Sequence, residues 1–166
     1  MPESAKTALI RPPQPITAFV TSVHHLTNET VAHAPAWDLI APYVQEDLHG
    51  AWIAAHNASM DYNVLRRHLP TWEPAGVIDT LRLAHTTYPT GTRHGLDALL
   101  AHIDVDPTAI PGRRYRAGFD AHATALLLID LAAHYPTWDA LIAVAVPPGM
   151  PGSPSSPHRD EEQTLW

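Results

Sequence analysis

Two short stretches constrain the fold of this chain more than any others. The apolar run Ala51 to Ala55, bounded by Gly50 and by His56-Asn57, suits a buried strand that leads directly into a helix headed by Asp61. After Asp61, the residues Val64, Leu65 and Leu69 recur at helical spacing, while Arg66 and Arg67 fall on the other side. Further along, Arg116-Ala117-Gly118-Phe119-Asp120 opens a second helix, and the stripe Ala123, Thr124, Leu127, Leu128, Leu131 runs on from Asp120. Each aspartate is thus expected at the head of a core-facing stripe. A lone carboxylate is costly to bury there; the positive end of the helix dipole offsets part of the cost and a bound cation offsets far more. Two readings stay open at this point: ordinary first-turn or N-cap aspartates, or two carboxylates aimed at a metal ion.

The rest of the chain supplies short elements. Thr7 to Arg11 reads as the remnant of a strand that ends at Pro12-Pro13. Ala36 to Asp47 carries Trp37, Ile40 and Val44 at helical spacing, with Pro42 as a kink or displaced start. Gly76 to Ile78 is a second brief strand, and Asp79 is placed to cap the helix through His85, a role that outweighs a catalytic one at such a position. Helices are expected at Leu96 to His102 and Phe119 to His134, separated by the loop Asp104 to Arg114, and a last apolar segment runs from Trp138 to Val146. From Pro147 onward the Pro/Gly/Ser-rich sequence reads as a flexible or extended linker. The expected organisation is one domain over residues 1–146 and a disordered tail over 147–166. The tail closes in Gln163-Thr164-Leu165-Trp166, a faint likeness to the Gln-led peptides that bind the bacterial sliding clamp.

Composition narrows the class. A chain of 166 residues with 45% hydrophobic content suits one compact domain plus a tail. There is no cysteine, so neither a disulfide framework nor a zinc-thiolate site is available. Twelve histidines invite a metal reading, yet no pair has the His-x-x-x-His spacing. No signal-like N-terminus or long apolar run stands out, which argues for a soluble cytoplasmic protein. A net charge of −7 argues against coating duplex nucleic acid by bulk electrostatics. It leaves room for a nuclease, whose carboxylate-rich centre is acidic by construction. Arg113, Arg114 and Arg116 before Asp120, and Arg66-Arg67 after Asp61, are candidate phosphate contacts against a background of ordinary solvated charge.

Six segments, in order, carry a family resemblance. They are Arg11-Pro12-Pro13 with Pro15-Ile16-Thr17; Val23-His24-His25-Leu26-Thr27; Ala55-His56-Asn57-Ala58-Ser59-Met60-Asp61; Ile78-Asp79-Thr80-Leu81-Arg82-Leu83-Ala84; Gly95-Leu96-Asp97-Ala98-Leu99-Leu100; and Tyr115-Arg116-Ala117-Gly118-Phe119-Asp120-Ala121. Together they resemble the DEDD family of 3'-5' exonucleases, from about Leu9 to about Ala133. The resemblance implies an α/β, ribonuclease H-like exonuclease fold, a mixed sheet flanked by helices, here lacking the first strands. It implies metal-dependent hydrolysis of phosphodiester bonds at nucleic-acid 3' ends, DNA or RNA, in repair or replication. It also implies two Mg2+ or Mn2+ ions, one activating a water and the other stabilising the leaving oxygen.

Carried over position by position, the resemblance makes Asp61 and Asp120 metal ligands. His56, Asn57, Arg113, Arg114 and Arg116 become substrate contacts, with a polymerase or, through Gln163 to Trp166, a sliding clamp as partner. Two departures bear on activity. The family's Asp-x-Glu on its first strand has no counterpart; Glu3 is the sole acid before the Arg11-Pro12-Pro13 segment, and Asp160-Glu161-Glu162 sits on the tail. The chain is therefore expected to be N-terminally shortened and to hold at most one ion well. The histidine that takes a proton five positions before the last aspartate is replaced by Tyr115, and a phenol, ordinarily with a pKa of about 10, is a poor general base at neutral pH. His122 lies on roughly the opposite face of the helix from Asp120 and is no substitute. An impaired exonuclease is expected, with a non-cutting module for nucleic-acid ends or a polymerase partner as the alternative.

Overall fold

The computed structural model describes residues 6–88 and 92–154. Both acidic and Gln-led strings of the C-terminus, Asp160 to Glu162 and Gln163 to Trp166, lie outside the described residues, as does Glu3. Three helices come first: α1 (Ala18–His24), α2 (Asn28–Val31) and α3 (Trp37–Leu48), the last with Pro42 inside it. The strand β1 (Trp52–Ala55), α4 (Ala58–His68) and the strand β2 (Gly76–Asp79) then form a parallel strand–helix–strand unit. Helices α5 (Thr80–Thr87), α6 (Leu96–His102), α7 (Ala117–Ala132) and α8 (Trp138–Ala145) complete the chain, with a 3-10 turn at Pro107–Ala109. No helix among the described residues is long and apolar enough to cross a membrane.

Among the described residues the sheet is β1 and β2 alone, in parallel register from Trp52↔Gly76 to Ala55↔Asp79. The strand expected at Thr7 to Arg11 is reduced to one parallel bridge, Arg11 with Ala36, where the Arg11 N–H donates to the Pro35 carbonyl at 2.9 Å. Pro12 and Pro13 follow at once and neither has an N–H to extend a ladder. The strand expected to be buried at Ala51 to Ala55 is only half-covered, with Ala54 exposed, whereas all four residues of β2 are buried.

Gly76 is required by close approach. The Trp52 indole lies where a Cβ at Gly76 would stand, and the same ring leaves no room for a Cβ at Gly152. Trp52 meets Trp138 edge-on at 4.9 Å between ring centroids. Because Gly152 has no side chain, the segment after α8 can run against β2, and the Val77 N–H donates to the Pro151 carbonyl at 3.1 Å. Turns at Pro147–Met150 and Met150–Ser153 shape this segment. The first residues of the expected flexible tail are thus packed on the sheet, where they satisfy an outward N–H of β2.

The core lies between β2 and the helices α5, α6, α7 and α8. Ile78, Leu83, Ala84, Leu99, Leu127, Leu131, Leu141 and Ala145 form its main cluster, and Leu100, Ile110, Phe119 and Ala123 a second one under the first turn of α7. Burying a Leu-sized side chain contributes about 1.5–3 kcal/mol. The four fully buried leucines of the main cluster, Leu83, Leu99, Leu127 and Leu131, therefore decide how α5, α6 and α7 sit against one another. Their position fixes α7, and with it Asp120.

Candidate active site

Asp61 and Asp120 occupy the same place in their helices, each in the first turn, at the fourth residue of α4 and of α7. Their surroundings differ. On α4 the buried face is Ala58, Leu65 and the C-cap Leu69, with Tyr62 tilted against Trp72 at 5.9 Å. At about 100° per residue, Asp61 stands roughly 60° off the centre of that face and Val64 roughly 120° off. Val64 is accordingly 57% exposed and Asp61 is exposed at the flank, so the expected stripe through Val64 is corrected to one through Tyr62. On α7, Asp120 is half-buried and stands in line with Thr124, Leu127 and Leu131, as the spacing predicts.

Both carboxyls are pushed above the ordinary range. For Asp61 the main cause is desolvation of its carboxyl end, with the Asp79 charge adding to it and its own backbone N–H opposing. For Asp120 desolvation again leads and Asp97 adds, against a lowering pull from His24 and from the Tyr115 N–H. The electrostatic neighbours are therefore Asp79 for one and Asp97 with His24 for the other.

Asp79 organises the first half of the site. Its side chain is 7% exposed and accepts four backbone N–H groups: Leu81 at 2.9 Å, Ala58 at 3.1 Å, and Asn57 and Arg82 each at 3.2 Å. One carboxylate thus caps α5, as expected, and also holds the start of α4. Asn57 makes this possible by adopting a left-handed conformation (φ 69), which turns the amides of residues 57 and 58 toward Asp79.

His56, expected to touch substrate, spends both ring nitrogens inside the protein. Its Nδ1 meets Thr80 Oγ1 at 3.1 Å and its Nε2 meets the His94 carbonyl at 2.9 Å. A carbonyl only accepts, so Nε2 carries the proton. Burial outweighs that carbonyl and the Asp79 charge and holds the imidazole below its usual value. His94 stacks on His85 at 3.9 Å between centroids and its Nε2 meets the Tyr88 carbonyl at 3.0 Å. Asn57 remains exposed, its Oδ1 accepting from Ser59 at 3.4 Å.

The second half of the site joins α1 to the start of α7. Tyr115 has a left-handed backbone (φ 62) and a 52% exposed side chain. His24 Nδ1 meets its carbonyl at 3.0 Å, and the Arg116 guanidinium donates back to the carbonyls of His24 at 3.3 Å and His25 at 3.5 Å. Arg114 pairs with Asp97 at 3.3 Å, and Arg113 is exposed. Of the five expected phosphate contacts, Arg116 and Arg114 are therefore engaged within the protein, while Arg66, Arg67 and Arg113 are exposed, Arg66 reaching the Tyr62 hydroxyl at 3.5 Å. His24 and Asp97 are the residues that sequence reasoning left out. His24 lay inside one of the six resembling segments, but no local pattern sets it beside a residue 91 positions away.

The divalent ion implied by the resemblance would find suitable hard oxygen donors in Asp61 and Asp120. It would not find enough of them. Among the described residues no three His, Asp or Glu side chains converge as an ion requires, so these residues by themselves do not make the site. A groove of about 850 Å³ between α3 and α4 is lined by Trp37, Glu46, His49, Arg67 and His68 and by neither aspartate.

Comparison with known proteins sets this geometry in a family. Residues 3–128 match the family model described as "Exonuclease", of the RNase T type. Exodeoxyribonuclease 10 of Escherichia coli (strain K12) is 34% identical over 126 residues, 74% of this chain and 52% of that protein. The PolC-type DNA polymerase III of Streptococcus thermophilus is 36% identical over 124 residues, 72% of this chain and 8% of the polymerase. The chain thus spans about half of the first relative and a small fraction of the second. A solved structure of exonuclease X in complex with 5' overhanging duplex DNA superposes with a TM-score of 0.64 at 31% identity, covering 80% of this chain and 75% of that one. With more than half of its length matched by the family model, and a ribonuclease H-like structural neighbour, the chain belongs to the DEDD family of 3'-5' exonucleases.

Proposed function

We propose that this chain works at the 3' ends of single-stranded DNA or RNA as a 3'-5' exonuclease domain, hydrolysing phosphodiester bonds with Mg2+ or Mn2+, with Asp61 and Asp120 as metal ligands. The observation that carries the proposal is the matched placement of the two aspartates: same helical turn, both partly desolvated, both with carboxyls raised by that desolvation. Folding tolerates such a cost where a ligand repays it. Asn57 and Arg113 are the exposed side chains of the expected set that remain to meet a phosphodiester backbone, and Arg114, exposed but paired with Asp97, would have to exchange that partner for a phosphate. Arg116 and His56 act on this reading by shaping the site rather than by touching substrate. Two carboxylates hold at most one ion well, and Tyr115 stands where a basic histidine is expected, so the 166-residue chain by itself hydrolyses slowly. A cytoplasmic setting and contact with a polymerase or sliding clamp through Gln163 to Trp166 belong to the same proposal.

The test is nucleotide release from 3'-labelled single-stranded DNA and RNA with Mg2+ or Mn2+, on the full chain. Slow release that falls at least about 100-fold in Asp61→Ala and in Asp120→Ala is expected, with Tyr115→His raising the rate. Release that persists in both alanine variants refutes the assignment. Retention of 3' ends without any release replaces it with the second reading, a non-cutting end-binding module, which the lack of a third converging ligand among the described residues favours.

A further inference from the structure

We propose that His24 is a positioning residue. With Arg116 it clasps the end of α1 to the turn that opens α7, and so sets where Asp120 and the Tyr115 side chain stand. The proposal deepens the exonuclease reading and rests on it only for its catalytic consequence.

The clasp is reciprocal. A carbonyl oxygen accepts only, so the contact of 3.0 Å between His24 Nδ1 and the Tyr115 carbonyl places a ring proton on Nδ1. In the other direction, the Arg116 guanidinium reaches the carbonyls of His24 and His25. These are carbonyls that a helix end leaves without intrahelical partners, and a cation is favoured there. His25, in a left-handed conformation (φ 55), ends α1 at the point where the guanidinium arrives.

The object held is a single strained peptide unit. Tyr115 is a bulky residue at φ 62, a conformation that persists only when its surroundings over-determine it. Its carbonyl goes to His24, and the carbonyl of the next residue, Arg116, accepts the Asp120 N–H at 3.0 Å in the first turn of α7. Rotation of Tyr115 to a relaxed, negative φ would break the contact with His24 and re-aim the Arg116 peptide. The first turn of α7 would shift with Asp120 and the phenol would swing away. His24 itself is remote from both in sequence, so nothing but the fold supplies this restraint.

Two readouts test the clasp on the full-length chain. Hydrogen exchange is compared at the Asp120 amide, in the first turn of α7, for wild type, His24→Ala and His24→Asn. Asparagine keeps a side-chain N–H donor at similar reach, so it is the conservative rescue. Exchange at Asp120, whose N–H donates to the Arg116 carbonyl at 3.0 Å, is expected to rise about tenfold in His24→Ala and to stay within about threefold of wild type in His24→Asn. Unchanged exchange in His24→Ala, or an equal rise in both variants, overturns the clasp. Nucleotide release is measured on the same proteins. His24→Ala is expected to lower kcat about 10–100-fold with KM within about threefold, as misplacement by an ångström does, and His24→Asn to recover most of it. A loss in KM alone, or a loss that asparagine does not repair, overturns the positioning role. A wild-type chain that releases nothing sinks the exonuclease reading and leaves the exchange measurement to decide the clasp. Arg116→Gln, which removes the opposite contact, is expected to raise exchange at Asp120 as His24→Ala does; exchange at the wild-type rate there counts against a reciprocal clasp.

Discussion

Replacing Asp79 by alanine is expected to destabilise the protein by about 3–5 kcal/mol, a large share of what a domain of this size possesses. The figure follows from the four amides that converge on one carboxylate. Loss of the bonds to Leu81 and Arg82 removes the N-cap of α5, worth about 1–2 kcal/mol. The amides of Asn57 and Ala58 are then stranded at the start of α4, and at about 1–1.5 kcal/mol each, the lower end of the cost of an orphaned N–H, the two add a further 2–3 kcal/mol or so. At roughly 2–4 °C per kcal/mol the melting temperature should fall by about 6–20 °C. Asp79→Asn divides the effect. One oxygen serves Asn57, Leu81 and Arg82, and the other serves Ala58 alone. An asparagine that keeps its oxygen toward the three donors turns its NH2 toward the Ala58 N–H, at a cost of about 1–2 kcal/mol. Urea unfolding followed by far-ultraviolet circular dichroism measures both. A loss below about 1 kcal/mol in Asp79→Ala, or equal losses in the two variants, would refute the account of a shared cap.

Two further outcomes follow from the same geometry. Asn57→Val places a β-branched residue at φ 69 and should cost about 1–2 kcal/mol, whereas Asn57→Gly should be nearly neutral; equal effects in urea unfolding would show that the left-handed turn is not the constraint. Asp61→Asn and Asp120→Asn should each stabilise the fold at pH 7. Desolvation raises both carboxyls in the folded state, so folding opposes their ionisation and wild-type stability suffers once pH exceeds the ordinary carboxylate range. Both groups keep solvent contact, so the gain should stay below about 1 kcal/mol and should vanish as pH falls below that range, read from melting temperatures between pH 3 and 7 or so. A gain that grows toward low pH would reverse the sign of the argument.

Several elements were legible along the chain because the physics that forms them is local. Helix α6 has the expected limits, Leu96–His102, and Asp79 caps α5 as a strand-to-helix aspartate should. The stripe behind Asp120 is buried at Ala123, Thr124, Leu127 and Leu131, since a 3.6-residue period records which face of a long helix is covered. Periodicity served less well on α4. A short helix with one covered flank lets two neighbouring stripes compete, and the choice fell to Trp72, which packs against Tyr62 and leaves Val64 in solvent. The segment after α8 was misjudged for a related reason. Its Pro/Gly/Ser composition speaks of a chain without a core of its own, but Gly152 and the Pro151 carbonyl find their partners on a strand far back in the sequence.

By itself the sequence determined the family, the two aspartates and their positions at the heads of two helices, because motif order, capping and helical period are properties of neighbours along the chain. Only the tertiary structure decided what those aspartates and their flanking residues face. It turned Asp79 from the cap of one helix into the anchor of two, drew His56 and Arg116 inward, and brought His24 and Asp97 to the side of Asp120. Hydrogen bonds, burial and charge act through distance in space, and the contact between His24 and Tyr115 across 91 residues exists only once α1 and α7 have been packed into place.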